Sequence, residues 1–155
     1  MSPEMVRRNP PTSLSAIIEF ECAHGLKLPA SYKLFLLETN GGIPRNSNFT
    51  IVTRPSNPDE NVQNFLGIGV PGIPTSELSY PIDLYHGGIP DGLLPIANQD
   101  FGSYICLDLR DGTDRVAFWD KSHFWSTGEW REVDLYHVAD SFEAFLALLG
   151  PAPKS

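Results

Sequence analysis

The segment from residue 93 to residue 120 constrains the fold more than any other part of the chain. Leu93–Asn98 is followed by two apolar runs, residues 104–109 and residues 115–120, and the linker between them contains Asp111-Gly112. An Asp-Gly pair between two such runs is typical of a β-hairpin turn. In both arms of the hairpin, the side chains on each face are mostly apolar. We therefore predict that the hairpin lies in the middle of a sheet that is covered on both faces.

Two amphipathic helices are predicted before this sheet. Residues 13–24 form the first, which Thr12 or Ser13 can cap, and residues 29–40 form the second. Asn40-Gly41-Gly42 ends the second helix, because these residues accept positive φ angles. The spacing of the apolar residues predicts that the core face of the first helix consists of Leu14, Ile17, Ile18 and Cys22.

A third helix is predicted over residues 141–149, with Asp140 as its N-cap and Glu143 completing a capping box. Shorter strands are predicted at residues 49–53, 64–69 and 132–137. In the glycine- and proline-rich stretch between residues 70 and 92, one helical turn is predicted at residues 82–86 and the rest is predicted as loop. Two helices, then strands, then one helix indicate an α+β fold, with a central antiparallel or mixed sheet of about five to six strands.

A chain of 155 residues is long enough for one domain with its own core. We predict a single domain over residues 12–150, a flexible arm at residues 1–11 and a short tail at residues 151–155. The two cysteines form no disulfide framework, and no apolar run approaches the roughly 20 residues that span a membrane. Because no apolar stretch follows Arg7 and Arg8, we expect no signal peptide and a cytoplasmic location.

The net charge of −8 is distributed unevenly along the chain. Lys and Arg exceed Asp and Glu by two in residues 1–55, whereas Asp and Glu exceed Lys and Arg by ten in residues 56–155. Most of the chain would therefore repel a phosphate backbone, so nucleic acid is not an expected partner. An acidic surface is compatible with plain solvation and also with electrostatic steering toward a basic protein.

The chemical motifs in the sequence lack the context that their chemistry requires. Gly67-x-Gly69-x-x-Gly72 matches a dinucleotide-binding string, but Pro71 and Pro74 prevent a helix from starting there. Asp100-Phe101-Gly102 copies the magnesium-binding tripeptide of kinases without a preceding catalytic loop. The four histidines are not spaced as metal ligands. We therefore expect no cofactor, no metal and no catalytic residues.

Cys106 is the remaining candidate nucleophile, with His86, His123 or His137 as its base. The simpler interpretation is a small apolar residue that is buried in a central strand. Cys22, on the predicted core face of the first helix, is interpreted in the same way. On this interpretation the protein is not an enzyme.

Two clusters of side chains indicate a protein-binding surface. One is aromatic, since all three tryptophans fall within twelve residues. Of these, Trp125 and Trp130 lie in a predicted loop, where they either cover the sheet edge or form an interaction surface. The other cluster is acidic. The candidate partner-binding residues are therefore Asp100, Asp108, Asp111, Asp114 and Trp125.

Four segments of the chain, in order, resemble the SUKH superfamily. The opening motif of the superfamily is matched in this chain by Leu26-Lys27-Leu28-Pro29-x-x-Tyr32-Lys33-x-Phe35-Leu36, which is followed by Asn40-Gly41-Gly42. Residues 94–97, the hairpin strands and residues 138–146 resemble later segments of the family, so the resemblance covers residues 13–149. The residues that it marks as structural are Leu28, Pro29, Tyr32, Phe35, Leu36, Asn40, Gly41, Gly42, Phe118, Trp119, Phe142 and Phe145.

The SUKH superfamily includes bacterial immunity proteins and a fungal regulator of cell-wall assembly. Its bacterial members are small cytoplasmic proteins that are encoded beside secreted toxins, and they capture the toxin domain, which is often a nuclease. The resemblance therefore implies a non-enzymatic immunity protein that binds and neutralises a cognate secreted or contact-delivered toxin of basic charge. The alternative that it implies is a regulatory or scaffolding interaction module without a toxin partner.

Overall fold

A computed structural model describes residues 3–151, which form an α+β fold around one large antiparallel sheet. The α+β class predicted from the sequence is confirmed. Within these residues, the helices are α1 (Leu14–His24), α2 (Ala30–Thr39), α3 (Ser79–Leu84), α4 (Ser122–Thr127) and α5 (Phe142–Leu148), with 3-10 turns at Pro74–Ser76 and Glu132–Asp134. The strands are β1 (Met5–Arg8), β2 (Gly42–Pro44), β3 (Asn48–Thr50), β4 (Asp59–Asn61), β5 (Asn64–Phe65), β6 (Leu93–Asn98), β7 (Tyr104–Asp108), β8 (Arg115–Trp119) and β9 (Leu135–Ala139).

The main sheet has seven strands in the order β1-β2-β5-β6-β7-β8-β9, and each neighbouring pair is antiparallel. β3 and β4 form a separate hairpin. The main sheet exceeds the predicted five to six strands because β1 and β2 are too short for an alternating pattern to reveal them. None of the helices among residues 3–151 has the length and apolar composition that crossing a bilayer requires.

The amino-terminal segment pairs with the sheet, in contrast to the predicted flexible arm. Residues 5–8 form β1, in which Arg8 lies opposite Gly42 of β2. A Cβ atom on Gly42 would lie 2.0 Å from the carbonyl oxygen of Arg7, so glycine is needed for β1 to approach this closely. The described residues do not include residues 1 and 2 of the predicted arm, nor residues 152–155 of the predicted tail.

Asn40 joins the amino-terminal segment to the sheet. Its positive φ of 50° ends α2, and its side-chain amide donates hydrogen bonds to the carbonyl oxygens of Pro10 and Ile68, both at 2.8 Å. Its amide oxygen accepts a hydrogen bond from the Ile68 N–H at 2.9 Å. At Gly41, a Cβ atom would lie 2.5 Å from the carbonyl oxygen of Leu66. This motif therefore has a structural role, as the resemblance implies.

The core face of α1 differs from the prediction. Ile17 and Phe20 are buried, whereas Leu14, Ile18 and Cys22 are exposed. The apolar residues of α1 lie on more than one face, so their spacing alone did not identify the core face. Packing selected the face that buries the aromatic ring of Phe20. The predicted burial of Cys22 is therefore wrong.

Two predictions near the carboxyl terminus are also corrected. Ser141 caps α5 in place of Asp140, because its hydroxyl oxygen accepts a hydrogen bond from the Ala144 N–H at 3.0 Å. Asp140 is exposed and pairs with His137 at 2.9 Å. Trp125, which was predicted to lie in a loop, lies on α4.

The main sheet separates two cores. Along β7, Ile105 and Leu107 belong to the larger core, which also contains the buried residues of α1, α2 and α5. The alternate residues Tyr104 and Cys106 belong to a smaller core with Trp119, against which part of α4 packs. The β7–β8 hairpin is therefore covered on both faces.

Candidate partner-binding surface

The five residues predicted to bind a partner are divided between the two ends of the β7–β8 hairpin. Tyr104 pairs with Trp119 at one end of the hairpin, and Asp108 pairs with Arg115 at the other end. Four residues of extended strand separate the two ends, a distance of about 13 Å. We call residues 108–115 the turn end, and the surface formed by Asp100, Phe101, Lys121 and Trp125 the aromatic end. Three of the predicted aspartates lie at the turn end, whereas Asp100 and Trp125 lie at the aromatic end.

Asp108 lies at the centre of an ion-pair network at the turn end. Its side chain is 8% exposed, and its two carboxylate oxygens accept hydrogen bonds from Nε and Nη2 of Arg110, each at 2.9 Å. Arg110 also donates to both carboxylate oxygens of Glu132, at 2.9 and 2.8 Å. A second guanidinium, that of Arg115, lies 3.7 Å from Asp108. Asp108 is therefore buried and paired within this network, and its predicted role in partner binding stays a prediction.

The hydrogen bonds of Arg110 hold the network in its charged form. They lower the pKa of Asp108 and of Glu132, against the smaller opposing effect of burial. The same bonds raise the pKa of the Arg110 guanidinium. At neutral pH the two carboxylates and the guanidinium are all charged, and they pair with one another within the chain.

The other two aspartates of the turn end also have partners within the chain. Asp111 is exposed and forms an ion pair with Arg115. Asp114 is half-buried, and one carboxylate oxygen accepts hydrogen bonds from the Phe142 N–H at 3.2 Å and from the Ser31 hydroxyl at 3.4 Å. Asp114 therefore ties the hairpin turn to the start of α5 and to α2.

A groove of about 1520 Å³ opens beside the turn end. The connection between α1 and α2, residues 82–94 and residues 109–114 line it, so the glycine- and proline-rich stretch contributes one wall. Its charged side chains have both signs, with Asp83, Asp91 and Lys27 among them.

The aromatic end carries two strongly exposed aromatic side chains. Phe101 is 91% exposed and Trp125 is 80% exposed. The other large apolar side chains that are exposed among residues 3–151 are aliphatic. Trp125 was predicted from the sequence as a partner-binding residue. Phe101 was not, because it was considered only as part of a kinase-like tripeptide. The available signal was a phenylalanine in a turn beside Gly102.

Lys121 lies beneath Trp125, within a group of aromatic rings. Its ammonium nitrogen is 5.4 Å from the ring centroid of Trp125, 5.4 Å from that of Tyr85 and 5.2 Å from that of Tyr104. The same nitrogen donates a hydrogen bond to the Tyr85 hydroxyl at 2.8 Å. Cation–π attraction of this kind restrains both the lysine and the rings around it.

The turn that carries Phe101 is held by a buried glutamine. Oε1 of Gln99 accepts hydrogen bonds from the N–H groups of Phe101 at 2.9 Å and Ser103 at 3.3 Å. Its Nε2 donates to Glu60 at 2.9 Å. The Ser103 hydroxyl accepts a hydrogen bond from the Lys121 N–H at 3.1 Å, which connects this turn to the start of α4. Phe101 and Trp125 are thus presented by two elements that are bonded to each other.

Asp100 is the exposed carboxylate of the aromatic end. It accepts a hydrogen bond from Nδ2 of Asn61 at 2.6 Å, and no ion pair involves it among the described residues. Its charge is therefore available at the surface, unlike that of Asp108. Partner binding by Asp100 and Trp125 stays a prediction.

Cys106 lies in the smaller core with no exposed surface. Burial raises the pKa of its thiol, so the nucleophilic thiolate is disfavoured. Within residues 3–151, no hydrogen bond joins Cys106 to a histidine, and no group of three or more potential metal ligands converges. This environment matches the interpretation of Cys106 as a buried core residue.

Residues 11–148 match the model of the SMI1 / KNR4 family (SUKH-1). The match covers most of the chain, so this protein belongs to that family and the resemblance read from its motifs is confirmed. The chain is also similar to the SPbeta prophage-derived uncharacterized protein YokK of Bacillus subtilis (strain 168). The two are 28% identical over 152 residues, an alignment that covers 87% of this chain and 73% of that protein.

Proposed function

We propose that this protein is an immunity protein, which binds a cognate toxin and neutralises it without chemical transformation. The observation that carries the proposal is the family match over residues 11–148. The bacterial members of the wider superfamily protect the producing cell by capturing a toxin domain. Similarity to a prophage-derived protein of Bacillus subtilis supports a bacterial rather than a fungal setting.

The charge of the chain supports a basic toxin as the partner. Several exposed carboxylates form no ion pair among the described residues, and these include Asp83, Asp91, Asp100 and Glu143. Their charge extends into solvent, where it accelerates association with a positively charged surface and does so most strongly at low salt. A nuclease toxin has such a surface, because it must bind a phosphate backbone.

Neutralisation by binding requires that the chain occupy a surface that the toxin uses. No catalytic group is needed for this, and the buried Cys106 thiol is poorly suited to supply one. The proposal therefore assigns the protein to the cytoplasm of the producing cell, where it meets the toxin before or after delivery.

Co-expression with the toxin domain that is encoded beside its gene tests the proposal. We expect the chain to restore growth and to co-purify with that domain as a stable complex. A Cys106→Ala variant that folds normally should protect equally well, because the proposed mechanism uses no nucleophile. If the chain neither restores growth nor co-purifies with the toxin domain, the proposal is contradicted. Specific capture of other cellular proteins would instead favour a regulatory module.

A further inference from the structure

We infer that the aromatic end is the surface that contacts the toxin, and that it inserts Trp125 and Phe101 into an apolar cleft bordered by basic side chains. This inference rests on the proposed function and specifies which face performs it. It separates the aromatic end from the turn end, where three of the five sequence-predicted contact residues lie.

The exposure of the two rings is the first argument. A single exposed apolar residue is ordinary in a soluble protein, but Phe101 and Trp125 are 91% and 80% exposed on two elements that are joined by a hydrogen bond. Tryptophan and other aromatic residues contribute a large share of binding energy at protein interfaces. The aromatic end therefore has the composition of the centre of an interface.

The restraint of the Trp125 ring and of the turn that carries Phe101 is the second argument. Trp125 is stacked against the Lys121 ammonium, and the Phe101 turn is held by two hydrogen bonds to the side chain of Gln99. Side chains that are ordered before binding lose less conformational entropy when a partner arrives. Lys121 is thus a positioning residue for Trp125.

Charge identifies the complementary surface. Asp100 directly precedes Phe101, and the exposed Glu129 follows Trp125 by four residues, so each exposed ring has an exposed carboxylate near it in the chain. The Lys121 ammonium is directed toward the Tyr85 and Tyr104 rings. A partner that suits this arrangement presents an apolar cleft with Lys or Arg side chains around it, as expected for a basic toxin.

The test compares a double variant with a matched control from the opposite face of the sheet. Trp125→Ala combined with Phe101→Ala removes both rings, whereas Leu14→Ala combined with Ile18→Ala removes two exposed apolar side chains of α1. Binding to the toxin domain encoded by the adjacent gene is measured by calorimetry. We expect the first pair to weaken binding about 30-fold or more, and the control pair to change it less than about 3-fold.

Lys121 provides a finer test of the same surface. Lys121→Met keeps the apolar stem but removes the charge, and it should weaken binding about 3-fold to 10-fold. Lys121→Arg keeps a cation over the Trp125 ring and should retain most of the wild-type affinity. In a Trp125→Ala background, Lys121→Met should have no further effect, since the positioned ring is already absent.

Three results would overturn the inference. Unchanged toxin binding by the Trp125/Phe101 double variant would show that another face makes the contact, while the proposed function stood. Absence of binding by the wild-type chain would remove the proposed function and this inference together. A wild-type chain that sediments as a dimer, with the double variant monomeric, would show that the surface joins two copies of this protein.

Discussion

The two ends of the β7–β8 hairpin present their side chains in opposite ways. At the turn end, Asp108, Arg110 and Glu132 satisfy one another within the chain. At the aromatic end, Phe101 and Trp125 face solvent, while a hydrogen bond to Gln99 holds the Phe101 backbone and Lys121 lies against the Trp125 ring. The turn end has more charged residues in sequence, but its charges stabilise the fold and leave less for a partner. A segment with many charged residues in sequence is therefore not necessarily a segment whose charges are free to bind a partner.

The largest expected effect is on stability and occurs at the turn end. Asp108→Asn leaves the guanidinium groups of Arg110 and Arg115 without their buried carboxylate, so we expect a loss of about 2–3 kcal/mol in the free energy of unfolding. Asp111→Asn, which removes an exposed carboxylate of the same turn, should cost less than about 0.5 kcal/mol. Urea denaturation at neutral pH measures both. Equal losses would show that the burial of Asp108 has no energetic importance.

The same network predicts a pH dependence. Because the fold lowers the pKa of Asp108 and of Glu132, their contribution to stability is complete above the unfolded carboxyl pKa of about 4. It is lost as the pH falls through the lowered pKa of the folded state. The stability difference between wild type and Asp108→Asn should therefore be largest above about pH 5 and shrink below about pH 4. Urea denaturation between these extremes checks the trend, which a pH-independent difference would contradict.

An intermediate effect is expected at the aromatic end. Lys121→Met removes a hydrogen bond to Tyr85 and the cation–π contacts with the surrounding rings, which together should cost about 1 kcal/mol of stability. Lys27→Met, at an exposed lysine, is the control and should cost less than about 0.5 kcal/mol. Thermal unfolding of the two variants side by side measures the difference. Identical melting temperatures would mean that the rings do not hold the ammonium.

The smallest effect on stability is expected for the two exposed rings themselves. Trp125→Ala and Phe101→Ala should each change the free energy of unfolding by less than about 0.5 kcal/mol, because neither side chain is buried. Chemical denaturation, with circular dichroism as the readout, provides the measurement. A loss above about 1.5 kcal/mol in either variant would assign that ring to the support of the fold, and its effect on toxin binding would then reflect unfolding.

The elements with strong local patterns could be predicted from the sequence, and those without them could not. The β7–β8 hairpin combines alternating apolar residues with an Asp-Gly turn, and Asn40 with its two glycines ends α2 as expected. The core face of α1 was misassigned because Ile17 and Ile18 are equally apolar, and only packing distinguishes them. β1 escaped prediction because it is a short edge strand that forms by pairing with β2.

The candidate surface shows the same limit. Trp125 was identified from its residue type and its neighbours, although it lies on α4 rather than in a loop. Asp108 was grouped with the other candidate partner-binding aspartates because its position in sequence does not reveal that Glu132 and Arg110 meet beside it. The exposure of Phe101 depends on the Gln99 hydrogen bonds that shape its turn.

The sequence by itself determined α1, α2, α5 and the strands β6 to β8, the α+β class, the two-sided burial of the hairpin and membership of the SUKH-1 family. These properties arise from residue periodicity, turn residues and motif spacing, which are local. The tertiary structure alone decided which charges are paired and which rings are exposed. Arg110 meets Glu132 across 22 positions and Lys121 meets Tyr85 across 36, and such contacts exist only once the chain has folded. Burial and electrostatic pairing are properties of the assembled chain, because each depends on neighbours that are distant in sequence.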